Sequence, residues 1–134
     1  MTTYFDSSVI VSRVLNESRS SEATRFFDES DFPVSSWLAF VETMGAVAKQ
    51  SPDGDVSEMK KRAEMGFDSM ALISPSEEQW RLAARIAEVT KIKSLDALHL
   101  AVARYLGDEN LVFATFDRKQ ADAARFIGLT VVGA

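Results

Sequence analysis

What most constrains this chain is the alternation of short apolar runs, each of strand length, with helical stretches along its whole length. LVFAT (111–115) is the clearest such run: apolar throughout and bounded by turns, as a parallel strand covered on both faces would be. TTYFD (2–6), FPVSS (32–36), MALIS (70–74) and LTVV (129–132) are the other strand candidates, with Pro33 tolerable near the start of its run. Helical spacing of apolar residues fills the intervals. It predicts helices from the hydroxyls behind Asp6 to about residue 16, over Ser21–Glu29, and from Trp37 to about Gln50, capped by Ser35 or Ser36. Further helices are predicted over about 56–67, from Pro75-Ser76 to about Thr90, over 95–106 with Ser94 as cap and Gly107 as stop, and over Arg118–Ile127 with Gly128 as stop. SPDGD (51–55) reads as a turn. Strand–helix alternation of this kind specifies an α/β fold with a mostly parallel sheet of about five short strands flanked by helices, joined by right-handed crossovers.

Length and composition narrow the chemistry. At 134 residues the chain is one domain, 1–134, without internal repeats or linkers. It has no cysteine and one histidine, which excludes disulfides, thiolate catalysis and zinc sites built on Cys or several His. The absence of cysteine is compatible with the cytoplasm. The segment MTTYFDSSVIV lacks a basic region and a long apolar run, so neither a signal peptide nor a membrane span is expected. The net charge of −5 argues against a surface that grips nucleic acid as a whole, while leaving room for local basic patches and for a concentrated acidic site.

In open α/β sheets the site lies beyond the carboxyl ends of the strands. Asp6, with Ser7 and Ser8, follows the first strand, and Asp117 follows Thr115-Phe116 after the fourth. Glu42 lies within the helix after the second strand, with the small Gly45 and Ala46 one turn on; Asp96 lies in the first turn of the helix before the fourth. Each alone has an ordinary explanation: a helix dipole for Asp96, an N-cap for Asp117, a solvated face for Glu42. Asp6, directly behind Tyr4-Phe5, is the exception, because a carboxylate that close to the core needs a compensating charge. Four carboxylates gathered at one sheet edge would repel unless a cation neutralised them. An oxygen-only ligand set selects hard ions such as Mg²⁺, with Mn²⁺ as substitute, and such ions support phosphodiester hydrolysis by activated water.

Asp6-Ser7-Ser8, mid-helix Glu42, Asp96 in SLDALH and Thr115-Phe116-Asp117 together resemble the PIN-domain nucleases, and by length, acid order and spacing the VapC toxins of toxin–antitoxin pairs. The resemblance spans essentially the whole chain and implies the three-layer PIN-like fold, a Mg²⁺-dependent endoribonuclease activity, an RNA substrate, a homodimer, and inhibition by a cognate antitoxin. It places Asp6, Glu42, Asp96 and Asp117 at the metal positions, and Thr115 with Ser7 or Ser8 where the family keeps a hydroxyl beside the metal or its ligands. One position departs: many relatives carry leucine three residues after the last acid, where this chain has Gln120, followed by Ala121, Ala123 and Ala124. The departure bears on the packing behind Asp117 more than on its role as ligand.

The remaining candidates surround these acids. His99, three residues after Asp96, is read as a structural or supporting group, because activated water already supplies the nucleophile. Lys91, Lys93, Arg118 and Lys119 lie near Asp96 and Asp117 in sequence and are candidates for holding RNA phosphates; Lys60, Lys61 and Arg62 read as a solvated helix face. Val9, Ile10, Val14, Leu15, Phe26 and Phe27 in the first two helices, and Trp80, are more apolar load than a small sheet covers, which predicts binding surfaces. A haloacid-dehalogenase-type site would need an acid where Ser8 stands, and a receiver domain would need an acid pair at the first strand. A PIN-like domain with a degenerate site, serving only to bind RNA or protein, is the alternative.

Overall fold

A computed structural model describes residues 1–50 and 56–134; the SPDGD turn lies outside the described residues. The elements alternate as expected: β1 (Thr2–Phe5), α1 (Ser7–Val14), α2 (Ser20–Glu29), β2 (Phe32–Ser36), α3 (Trp37–Gln50), α4 (Ser57–Asp68), β3 (Ala71–Ile73), α5 (Glu77–Thr90), α6 (Ser94–Tyr105), β4 (Val112–Ala114), α7 (Arg118–Phe126) and β5 (Thr130–Val132). The five strands form one sheet in the order β3-β2-β1-β4-β5, and every pairing is parallel. The chain builds outward from β1 to β3 on one side and then returns to add β4 and β5 on the other. The direction of winding therefore reverses between β1 and β4, which is where open parallel sheets place their sites.

Period-2 alternation along β1 divides the core. Tyr4 packs with Leu98, Leu100, Ala101, Val102 and Phe113 under α5, α6 and α7. Phe5, its neighbour in sequence, faces the opposite side and packs with Val9, Ile10, Val14, Phe27, Val47 and Phe67 under α1 to α4. The result is three layers. Ring stacking reinforces both halves: Tyr4 lies on Phe113 with centroids 5.4 Å apart, and Phe5 on Phe27 at 3.9 Å. Seven successive residues of α6, Ala97 to Ala103, are buried, so this helix runs through the interior rather than over it.

Several local expectations change. Val9, Ile10, Val14 and Phe27 are core residues, not exposed load, because α1 and α2 pack on each other and on the Phe5 face of the sheet. Leu15 and Phe26 pack against the same cluster. Trp37 and Trp80 remain about half exposed. Ser94 is the first residue of α6, and the cap position falls on Lys93 without a side-chain bond. Ser35 donates its hydroxyl to the Phe5 carbonyl at 2.7 Å instead of capping α3. The start of α1 is capped by Asp6 itself. Among the described residues no helix is long and apolar enough to cross a membrane.

Candidate active site

Three helix N-termini converge at the β1/β4 crevice, and each brings an aspartate. Asp6 caps α1, its Oδ2 accepting from the Ser8 amide at 3.0 Å. Asp117 caps α7, its Oδ1 accepting from the Gln120 amide at 2.9 Å. Asp96 occupies the first turn of α6. The unpaired amides and the dipole at a helix start favour negative charge, which is how the fold tolerates so many carboxylates together. Glu42 reaches the same place from α3. All four acids line one cleft of about 740 Å³, together with Ser7, Ser8, Ala46, Lys93 and Phe116. The cleft also takes in Glu17 and Arg19, from the connection between α1 and α2.

Charge balance in the cleft is incomplete. The Asp96 carboxyl is pushed up from 3.8 to about 6, first by burial, then by the charges of Asp6 and Asp117, with Glu42 adding and His99 partly offsetting. Arg19 does not neutralise the acids directly: it pairs with Glu22, donates to the Gly133 carbonyl and lies 3.8 Å over the Phe116 ring. Among the described residues no three or more acids or histidines stand close enough together to hold a metal ion as placed.

Behind the acids lies a buried polar layer. His99 is wholly buried; its Nε2 donates to Glu42 Oε1 at 2.7 Å and its Nδ1 pairs with the Tyr4 hydroxyl at 2.7 Å. Burial opposes charge on the ring, but the bond to Glu42 and the charges of Asp6, Glu42 and Asp96 outweigh it, and the His99 pKa is raised. Burial also raises that of Tyr4, so its hydroxyl stays protonated. Thr115, also buried, accepts from the Asp117 amide at 3.0 Å and lies 3.3 Å from Ser8 Oγ, which accepts from the Phe116 amide at 3.0 Å. Asp6 is 3% exposed and sits at the junction of these networks, 3.7 Å from His99 Nε2.

The basic candidates separate. Lys93 lines the acidic cleft. Lys91 and Lys119 line a different surface cavity of about 460 Å³ with Val89 and Phe126, and Arg118 opens α7. Two residues of the polar layer escaped the sequence reading. Tyr4 looked like a plain strand aromatic, and Gln120 looked like a packing departure.

A PIN domain family model matches residues 3–126. The chain belongs to the PIN domain family. Ribonuclease VapC45 of Mycobacterium tuberculosis (strain CDC 1551 / Oshkosh) is 34% identical to it over 138 residues, covering 98% of this chain and 94% of that protein. Among solved structures, a toxin–antitoxin complex from Klebsiella pneumoniae contains a chain that superposes with a TM-score of 0.71 at 21% identity, covering 97% of this chain and 95% of that one. PAE2754 from Pyrobaculum aerophilum superposes with a TM-score of 0.74 at 17% identity, covering 98% of this chain and 90% of that one. At those identities the two structures carry the fold alone. The PIN architecture is the observed one: a five-stranded, wholly parallel sheet between helical layers.

Proposed function

We propose that this PIN domain is a Mg²⁺-dependent endoribonuclease whose metal is held by Asp6, Glu42, Asp96 and Asp117. The observation that carries the reading is the gathering of all four acids in one cleft with Asp96 pushed up to about 6 by burial and its acidic neighbours, a deficit of positive charge that a divalent cation would fill. The donor set fits such an ion: it is all oxygen, and the imidazole of His99 behind it is turned to Glu42 and Tyr4. A bound Mg²⁺ or Mn²⁺ would supply Lewis-acid activation of water and stabilisation of charge on the phosphodiester. The chain's own residues do the positioning. His99 orients Glu42, Ser8 and Thr115 fix the segment carrying Asp117, and Lys93 offers a cation beside the acids for an RNA phosphate. Arg118, Lys91 and Lys119 would extend phosphate contact along the neighbouring surface.

The reading extends to a cytoplasmic toxin restrained by an antitoxin. It is supported by the VapC ribonuclease at 34% identity over nearly the whole chain. The half-exposed Trp37 and Trp80, with exposed Val41, would suit the antitoxin or a homodimer interface. The test is cleavage of RNA by the purified protein. Asp6→Asn and Asp96→Asn should each abolish it while the protein still melts cooperatively. EDTA should stop it and Mn²⁺ restore it. Full activity in either variant overturns the assignment.

A further inference from the structure

We propose that Gln120 is a positioning residue of the acidic cleft, its buried amide setting the orientation of Asp6 and thereby the affinity of the site for a divalent ion; this rests on the metal-dependent reading above. Gln120 is wholly buried, and an interior amide is costly unless its donors and acceptor are used. Here all are used, and on the acid-bearing segments. Nε2 donates to Asp6 Oδ1 at 3.2 Å and to the Asp96 carbonyl at 3.3 Å; Oε1 accepts from the Thr115 hydroxyl at 2.7 Å; the backbone amide donates to Asp117 Oδ1 at 2.9 Å. One side chain thus ties the end of β1, the first turn of α6 and the segment after β4, the three places that supply aspartates.

The bonding also decides where a proton goes. The Thr115 hydroxyl has one hydrogen and three acceptors within reach, Gln120 Oε1 at 2.7 Å, Ser8 Oγ at 3.3 Å and Asp6 Oδ2 at 3.4 Å. The shorter bond takes it. Gln120 therefore draws the threonine proton away from Asp6 Oδ2 and returns a donor to Oδ1 on the far side of the carboxylate. Oδ2 keeps its bond from the Ser8 amide and a lone pair for a ligand. An apolar side chain of similar size at position 120 would remove the donor to Oδ1 and release the Thr115 hydroxyl toward Ser8 Oγ or Oδ2, so that the carboxylate is no longer held on its Oδ1 side. Groups that orient a metal's ligands typically change its affinity by about 10- to 100-fold when removed.

Gln120→Leu and Gln120→Met both keep the apolar volume and delete the amide. The experiment compares them with the intact protein by thermal melting without metal and by calorimetric titration with Mn²⁺ alone. The expected result is cooperative melting together with Mn²⁺ affinity about tenfold weaker. On any RNA that the intact protein cuts, kcat should fall with KM unchanged. A folded variant that binds Mn²⁺ as the intact protein does overturns the proposal and leaves the nuclease reading standing. Failure of both variants to fold overturns it in favour of a purely structural amide. An intact protein that binds no Mn²⁺ overturns the metal reading itself, and this proposal with it.

Discussion

Replacing Asp96 by asparagine should make the metal-free protein more stable at neutral pH. The folded Asp96 carboxyl titrates at about 6 against 3.8 for a free aspartate, so between those values the folded chain binds the proton that the unfolded chain has already released. Stability from this group is therefore greatest below 3.8 and falls as the pH rises to about 6, after which the full cost of the ionised carboxylate is present. At full strength the gap is worth about 3 kcal/mol, at about 1.4 kcal/mol per pH unit. Asp96 is partly open to the cleft, so solvent screening reduces this to on the order of 1–2 kcal/mol. Asparagine keeps the shape and removes the charge, so Asp96→Asn should gain that amount at pH 7.5 in EDTA, or roughly 3–8 °C in melting temperature. The gain should vanish by pH 4. Excess Mg²⁺ should reverse the order: at a hundred times its Kd a ligand adds about 2.7 kcal/mol, and the variant lacking one ligand should gain much less. Urea unfolding of both proteins at pH 4, 5, 6 and 7.5, with EDTA or Mg²⁺, measures all of this. A variant no more stable than the parent at pH 7.5 without metal would refute the claim that Asp96 carries an unneutralised charge.

Other expectations follow from single contacts. Tyr4→Phe removes the partner of buried His99 Nδ1 and should cost about 1–3 kcal/mol in urea unfolding; no loss would detach Tyr4 from that network. Gly133 has φ +103°, and a Cβ there would meet the Thr115 carbonyl oxygen at 2.3 Å, so Gly133→Ala should destabilise by more than about 1 kcal/mol, with an unchanged melting temperature counting against it. Lys93→Gln should weaken RNA binding and lower the salt slope by about 1, whereas Lys60→Gln should leave the slope alone; equal effects would remove Lys93 from the phosphate path. Light scattering at high micromolar concentration should give a dimer, and a monomer there would assign Trp37, Val41 and Trp80 to another partner.

Chain-local information determined the architecture. Strand-length apolar runs, helical spacing and the stops at Gly107 and Gly128 depend on neighbours in sequence, so the order of elements, the parallel sheet and the four acids beyond strand ends or on the intervening helices were all legible. What tertiary structure decided was the fate of residues whose partners lie far along the chain. Val9, Ile10 and Phe27 looked like exposed load because the packing of α1 and α2 over Phe5 has no signature in their own periodicity. Asp6 and Asp117 serve as both helix caps and cleft carboxylates, and local sequence shows only one role at a time. His99 paired with Tyr4 and Glu42 across separations of 95 and 57 residues, and Gln120 with Asp6 across 114. A leucine-to-glutamine departure reads as a packing fault until the fold brings Asp6, Asp96, Thr115 and Asp117 around it. Hydrogen bonds are short-ranged and directional, so which polar groups satisfy one another is settled only when the sheet and helices have closed.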